Sequence, residues 1–399
     1  VKILCLYGYP DYNKGDSAIC LGAHQLLKSI YDTEEIYFAN FLWPDHPATI
    51  RTKAFYEAYN IKTIDIPSRN RTKYEKLTNI LVNRDRGVSS FLMEENFDMV
   101  ISVGGHFLFS KDSDIKEKIR NKVRLLDIYQ PILEAKKLGV ETGILCQSIG
   151  PFNKPDSIIR KIIDNVDFII TRESASYNEI RNKHKDTLAS IDMAYFMSIP
   201  QVKKRVLEID GDYVVLNLRK VLASGGYQVA DDMFSKQNEY FARLTRELIN
   251  RNKKVLLISQ VTSSDPNDPE VDTILHEEFK SKYFKEESDV KVVKEEYSEY
   301  ELIDIYKHAD ALISTRYHGL IFCILASGNP IGVNLSGIGH KLVGMFNDLD
   351  IVNNYIELDD AIISKAVSKT INLIEEKNKY NKDKYIESNF EKIKGLLLG

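Results

Sequence analysis

Arg316, Tyr317 and His318 sit together in the stretch Ala311-Leu-Ile-Ser-Thr-Arg316-Tyr317-His318-Gly-Leu-Ile-Phe-Cys-Ile-Leu-Ala-Ser-Gly328-Asn-Pro330. The pattern reads as a strand, a tight loop, and an apolar helix stopped by Gly328 and Pro330. At a helix N-terminus the backbone N–H groups and the positive dipole end favour an anion such as phosphate. Arginine adds a planar fork for phosphate or carboxylate, and a neighbouring histidine can exchange protons near neutral pH. Arg219 directly follows another apolar run, 213–218, so it should leave the carboxyl end of a second strand on the same sheet edge. Two guanidinium groups on one edge suit a dianion. Each also has a plainer reading, as an ion-paired arginine or a capping histidine. Further on, Asn334-Leu-Ser336-Gly-Ile-Gly339-His340-Lys341 sets flexible glycines before the basic pair His340 and Lys341, which would add to an anion site or stand solvated.

In the first half the polar candidates lie after strand-like runs. Asn13 and Asp16, around Gly15, are plausible helix N-caps, and Asp16 could also orient an acceptor hydroxyl. Gly104, Gly105 and His106 follow the run 99–103, where adjacent glycines allow close backbone approach and His106 can donate a hydrogen bond to a ligand or to the protein itself. Gln147 opens Gln147-Ser-Ile-Gly150-Pro151, and Arg172 ends the run 168–171. Neither the G-x-G-x-x-G fingerprint nor the G-x-x-x-x-G-K-[ST] phosphate loop occurs, so NAD and ATP are poorly supported.

Positioning these residues requires strands alternating with helices, the signature of parallel sheets under crossover helices. Strands are expected at 2–7, 99–103, 141–146, 168–171, 213–218, 254–259, 311–314 and 331–334. A polar stretch at 201–212 separates two such series, dividing the chain into residues 1–200 and 201–370, with a C-terminal helix in 371–399 crossing back to the first domain. Asp167-Phe-Ile-Ile-Thr-Arg172 is echoed by Asp310-Ala-Leu-Ile-Ser-Thr-Arg316. Both arginines should emerge at carboxyl strand ends, and two such edges facing each other would form a cationic cleft.

The bulk numbers narrow the class. With 399 residues the chain exceeds one ordinary core, and 43% hydrophobic residues suffice for two. The 54 Lys plus Arg against 58 Asp plus Glu leave no basic footprint for nucleic acid. Cys5, Cys20, Cys146 and Cys323 lack metal-ligand spacing and read as core residues in a reducing compartment, so no metal is expected. The first residues carry no basic, cleavable leader pattern, and no apolar stretch approaches bilayer length. The expectation is a cytoplasmic protein, with peripheral association at the inner membrane face through lysine-rich helices such as 365–384 as a secondary option.

Taken together, Asn13-x-Gly15-Asp16-x-Ala18, Gly104-Gly105, Gln147-x-Ile149-Gly150-Pro151, Arg172-Glu173-x-x-Ser176, Asp192-x-Ala194 and Ser314-x-Arg316-Tyr317-His318 resemble, in order, the polysaccharide pyruvyl transferase family. The resemblance implies an α/β, GT-B-like fold of two Rossmann-like parallel-sheet domains facing across a cleft, with the acceptor on the first domain and the donor on the second. It implies transfer of pyruvate from phosphoenolpyruvate, a co-substrate rather than a cofactor, onto two hydroxyls of a sugar that is free, nucleotide-linked or lipid-linked. In that scheme Arg219, Arg316, Tyr317, His340 and Lys341 would hold the donor and His318 would be the acid/base. Asn13, Asp16, Gly105, His106, Gln147 and Arg172 would lie on the acceptor side. His106 stands where the family has a third glycine, which bears on the acceptor pocket. Two other readings remain open: a nucleotide-sugar glycosyltransferase, and a non-catalytic carbohydrate-binding or assembly protein.

Overall fold

A computed structural model describes residues 1–8, 13–40, 46–67, 87–110, 115–152, 157–200, 205–220, 231–262, 271–335, 340–358, 363–378 and 380–399. The chain divides into two compact units. The first comprises Val1–Asp11, Asp16–Ser198 and Ile386–Gly399, and the second Tyr12–Gly15 and Ile199–Tyr385.

The first unit carries strands β1 (Ile3–Leu6), β2 (Ile36–Asn40), β3 (Lys62–Asp65), β4 (Met99–Val103), β5 (Glu141–Gln147), β6 (Phe168–Thr171) and β7 (Thr187–Ala189). They form one parallel sheet in the order β3-β2-β1-β4-β5-β6-β7. Strands β1, β4 and β6 are buried at every residue, as helix-covered parallel strands must be. The connecting helices are α1 (Lys14–Tyr31), α2 (Pro47–Ala58), α3 (Val88–Glu95), α4 (Ile115–Lys137), α5 (Ser157–Ile163) and α6 (Ser174–Ile180). Leu125, Tyr129 and Ile132 of α4 and Ile158, Ile159 and Ile162 of α5 close over Leu4, Val100, Ile144 and Ile169 of the sheet.

In the second unit, β8 (Tyr213–Asn217), β9 (Lys254–Ile258), β10 (Val290–Val293), β11 (Leu312–Ser314), β12 (Pro330–Leu335) and β13 (Tyr355–Leu358) form a second parallel sheet, ordered β10-β9-β8-β11-β12-β13. Its helices are α7 (Asp231–Asn250), α8 (Asp272–Tyr283), α9 (Glu299–Lys307), α10 (Tyr317–Leu325), α11 (His340–Asp348) and α12 (Ile363–Glu376), and α13 (Lys382–Leu398) follows. Tyr240, Leu244 and Leu248 recur on one stripe of α7 and pack on Val214, Leu216 and Val255 with Val367 and Ile371 of α12. Helix α10 is different: all of Gly319 to Leu325 is buried. The loop before it is therefore fixed at one end of a core element.

Every strand expected from sequence is present within a residue or two. Strands β2, β3, β7, β10 and β13 were not anticipated. They are short and lie toward the sheet edges, and Tyr37, Lys62, Lys291 and Glu357 interrupt their apolar pattern. Helix α13 spans the two units, and from Ile386 onward it belongs to the first. There Asn389 accepts a hydrogen bond from Ser190 at 3.2 Å, and the Phe390 ring lies 6.4 Å from that of Phe196.

Gly22 shows how tightly α1 is seated: a Cβ there would fall 1.8 Å from the carbonyl oxygen of Met193. Gly22→Ala, worth about 1 kcal/mol in favour of an open helix, is expected instead to lower the melting temperature, because overpacking costs roughly 1–3 kcal/mol. Thermal denaturation of the single variant checks this.

Candidate functional site

In the second sheet the strand order reverses between β8 and β11, the place in a doubly wound sheet where a crevice opens at the carboxyl ends. The register puts Ser314 beside Asn217, and their side chains bond, Ser314 Oγ donating to Asn217 Oδ1 at 2.9 Å. The next residues are laced in the same way. Thr315 N donates to Asn217 O at 3.1 Å, and Arg219 N donates to Thr315 Oγ1 at 2.9 Å. Gln237 Nε2 donates to Arg219 O at 2.9 Å. The backbones of Arg219 and Arg316, the predicted donor-binding arginines, are thus tied to one another through Thr315 at the reversal.

Arg316 is the N-cap residue of α10, with extended backbone and no side-chain capping bond. Its guanidinium turns instead to Asp272, the first residue of α8, with Nε at 3.1 Å and Nη2 at 2.5 Å from Oδ1. The Asp272 side chain is wholly buried and that of Arg316 is 15% exposed. The other carboxylate oxygen, Oδ2, accepts from the backbone N–H of Gln260 at 2.9 Å and of Val261 at 3.1 Å. This residue was not foreseen. The sequence offers only a helix-initiating aspartate 44 positions before Arg316, and nothing local connects the two.

The Gln260–Val261 backbone carries a further segment. Lys14 N donates to Gln260 O at 3.1 Å, Asn13 forms an antiparallel bridge with Val261, and Lys14 Nζ pairs with Glu296 at 2.6 Å. Asn13 Oδ1 accepts from Gly15 N at 3.0 Å, the N-cap bond of α1. Gly15 then meets His318, since a Cβ on Gly15 would lie 2.0 Å from His318 Nδ1. The ring of Tyr317 stands edge-on to the His318 ring, with centroids 5.4 Å apart. Asn13, Arg219, Arg316, Tyr317 and His318 therefore gather on one framework within the second unit. His340 and Lys341 begin α11, but their side chains, like residues 336–339, lie outside the described residues.

His276, one turn along α8 from Asp272, is fully buried and accepts at Nε2 from Leu218 N at 3.3 Å. Burial is the main cause that pushes its pKa down to about 4, opposed by the Asp272 carboxylate. The neutral ring, protonated at Nδ1 toward Ser259 Oγ at 3.5 Å, is what fits this place beside Arg219.

The remaining predicted residues belong to the first unit, whose strand order reverses between β1 and β4. Gly104 and Gly105, just past β4, have φ of 54° and 75°, a region costly for residues with a Cβ. His106 Nε2 donates to Gly150 O at 2.6 Å, and its ring packs 4.8 Å from that of Phe109, so it ties the β4 loop to the β5 loop. Arg124, another unforeseen residue, donates to Phe107 O at 2.8 Å and Phe109 O at 3.2 Å and braces the same loop. Gln147 is buried, donating to Ser102 Oγ at 2.5 Å and accepting from Tyr129 OH at 3.1 Å. Arg172 is buried too; Nε donates to Ser148 Oγ and Nη1 to Asp192 Oδ2, both at 2.7 Å. Asp192 in turn caps the turn at Ala194 N, 2.9 Å away. Asp16 is half-buried in the first turn of α1. Gln147, Arg172 and Asp192 thus knit the loops after β5, β6 and β7 together.

All four cysteines are buried, and burial pushes the thiols of Cys5, Cys146 and Cys323 up, away from thiolate chemistry. Among the described residues, no group of three or more His, Cys, Asp or Glu is placed to hold a metal ion, and no helix is long and apolar enough to cross a membrane.

The two doubly wound sheets define a class. The chain is similar to UDP-GlcNAc 2-epimerase from Methanocaldococcus jannaschii, at 14% identity and a TM-score of 0.63 over 100% of this chain and 99% of that one. It is equally similar to UDP-GlcNAc 2-epimerase from Neisseria meningitidis bound to UDP-GlcNAc, at 11% identity and 0.63 over the full length of both. A glycosyltransferase from Rickettsia africae ESF-5 aligns at 12% identity and 0.56 over 99% and 98%. These likenesses establish a GT-B-like fold of two parallel-sheet α/β domains. No curated protein matches the sequence significantly. Residues 13–337 match the polysaccharide pyruvyl transferase family, and the chain belongs to it.

Two outcomes test this framework. Asp272→Ala leaves the Arg316 guanidinium without its buried counter-charge and should destabilise the protein by roughly 3–5 kcal/mol, read by urea denaturation. For His276 the folded pKa of about 4 lies below the ordinary 6.5, so its contribution is present above pH 6.5 and lost as pH falls through that window. The loss should total roughly 3 kcal/mol, and His276→Gln should flatten that part of the stability–pH curve.

Proposed function

We propose that the protein transfers the pyruvyl group of phosphoenolpyruvate to two hydroxyls of a sugar in a polysaccharide or its precursor, forming a ketal and releasing phosphate. One observation carries the reading: Arg219 and Arg316 share the strand reversal of the second sheet with His318 in the first turn of α10. Membership of the pyruvyl transferase family supports the same assignment. Arg219 and Arg316 bind the donor phosphate and carboxylate, with Tyr317, His340 and Lys341 around them. Asp16 and the loops of Gly105, His106, Gln147 and Arg172 serve the acceptor. The protein acts in the cytoplasm.

His318 delivers a proton to the methylene carbon of phosphoenolpyruvate, which becomes the methyl group of an oxocarbenium-like centre. A sugar hydroxyl adds to that carbon and loses its proton to the imidazole. Phosphate departs with the bridging oxygen, and a second hydroxyl closes the ketal, its proton passing to the departing phosphate, while the first hydroxyl's proton restores the one His318 gave to carbon. The arginines stabilise charge on the departing phosphate, and the capping position of Arg316 sets it beside the helix dipole. The scheme calls for no metal and no bound cofactor.

Donor binding is best tested by thermal stabilisation, which needs no knowledge of the acceptor. Phosphoenolpyruvate at about a hundredfold over its Kd should add roughly 2.7 kcal/mol. Arg316→Ala is a poor control, because it strips Asp272 of its partner. Arg219→Ala should abolish the stabilisation and Arg316→Lys should weaken it, whereas His318→Gln should retain it and lose turnover. Stabilisation by UDP or UDP-GlcNAc alone would reject pyruvyl transfer in favour of nucleotide-sugar chemistry.

A further inference from the structure

We propose that Gly15 is a positioning residue for His318, fixing the imidazole with its Nδ1 edge against the Gly15 backbone. The role of His318 rests on the function proposed above; the contact itself does not. A Cβ on Gly15 would come within 2.0 Å of Nδ1, 2.4 Å of Cγ and 2.8 Å of Cε1, so the whole Nδ1 edge of the ring faces a position that only glycine leaves open. Tyr317 bounds the ring as well, edge-on at 83°.

The segment that presents Gly15 is held at four points. They are the Asn13 cap on Gly15 N, the Asn13–Val261 bridge, the Lys14 bond to Gln260 O, and the Lys14–Glu296 ion pair. Two of these points lie on the Gln260–Val261 backbone that Asp272 holds while it also holds Arg316. One carboxylate thereby holds both the backbone that carries the Gly15 segment and the Arg316 guanidinium. Gly15 acts through His318, by steric definition of its rotamer.

The test compares wild type, Gly15→Ala and His318→Gln, with ring-labelled histidine. Imidazole NMR assigns the His318 signals by their loss in His318→Gln. In Gly15→Ala these signals should move while those of the other seven histidines stay in place. With phosphoenolpyruvate as donor, kcat should fall about a hundredfold, as a displacement near 1 Å can cause, with donor KM within about threefold. If Gly15→Ala does not fold, Asn13→Ala loosens the same segment without adding an atom and must also shift the His318 signals. Unshifted His318 signals in a folded variant, or turnover within twofold of wild type, overturn the proposal. Failure of phosphoenolpyruvate as a donor would count against pyruvyl transfer, and the imidazole spectra alone would then decide the role of Gly15.

Discussion

The ion pair between Asp272 and Arg316 is the interaction on which the second unit's carboxyl edge depends. A carboxylate with no solvent exposure needs its hydrogen bonds supplied by the protein, and here one oxygen takes the guanidinium and the other takes two successive backbone N–H groups. The consequence is geometric as much as energetic. The end of β9, the start of α8 and the cap of α10 cannot move independently, and the Arg316 guanidinium is held beside a helix N-terminus with its reach limited.

The echo between Asp167–Arg172 and Asp310–Arg316 takes on meaning in this light. Both leading aspartates are paired with lysine, Asp167 with Lys136 and Asp310 with Lys253 and Lys377. Both arginines find a buried aspartate beyond the strand, Asp192 for one and Asp272 for the other. Their surroundings diverge: Arg172 is enclosed by Ser148 and Glu173, whereas Arg316 caps a nine-residue helix beside a histidine. The same local sequence gives a loop brace in one sheet and a candidate ligand group in the other, because only the second is followed by a buried apolar helix.

Much of this was legible from the chain alone. Fully buried strands announce themselves as unbroken apolar runs, and Gly328 with Pro330 marks the end of α10, so the strand, loop and helix around Arg316 follow from local pattern. Edge strands such as Lys62–Asp65 carry no such signal, since half of their surface faces solvent. Nor could local pattern supply Asp272, His276, Gln260 or Arg124, whose partners lie 44, 58, 12 and 15 to 17 residues away. The resemblance to a family singled out His318, but its packing against Gly15 is a property of the folded chain.

The last turns of the chain complete the first unit. Asn389 meets Ser190 across 199 residues of sequence, and the Leu397 carbonyl accepts from Tyr31 across 366. On the ribosome, the second unit can therefore close while the first still exposes the patch around Ser190 and Phe196 that α13 covers. A stretch made after the whole second sheet is thus needed to cover part of the first.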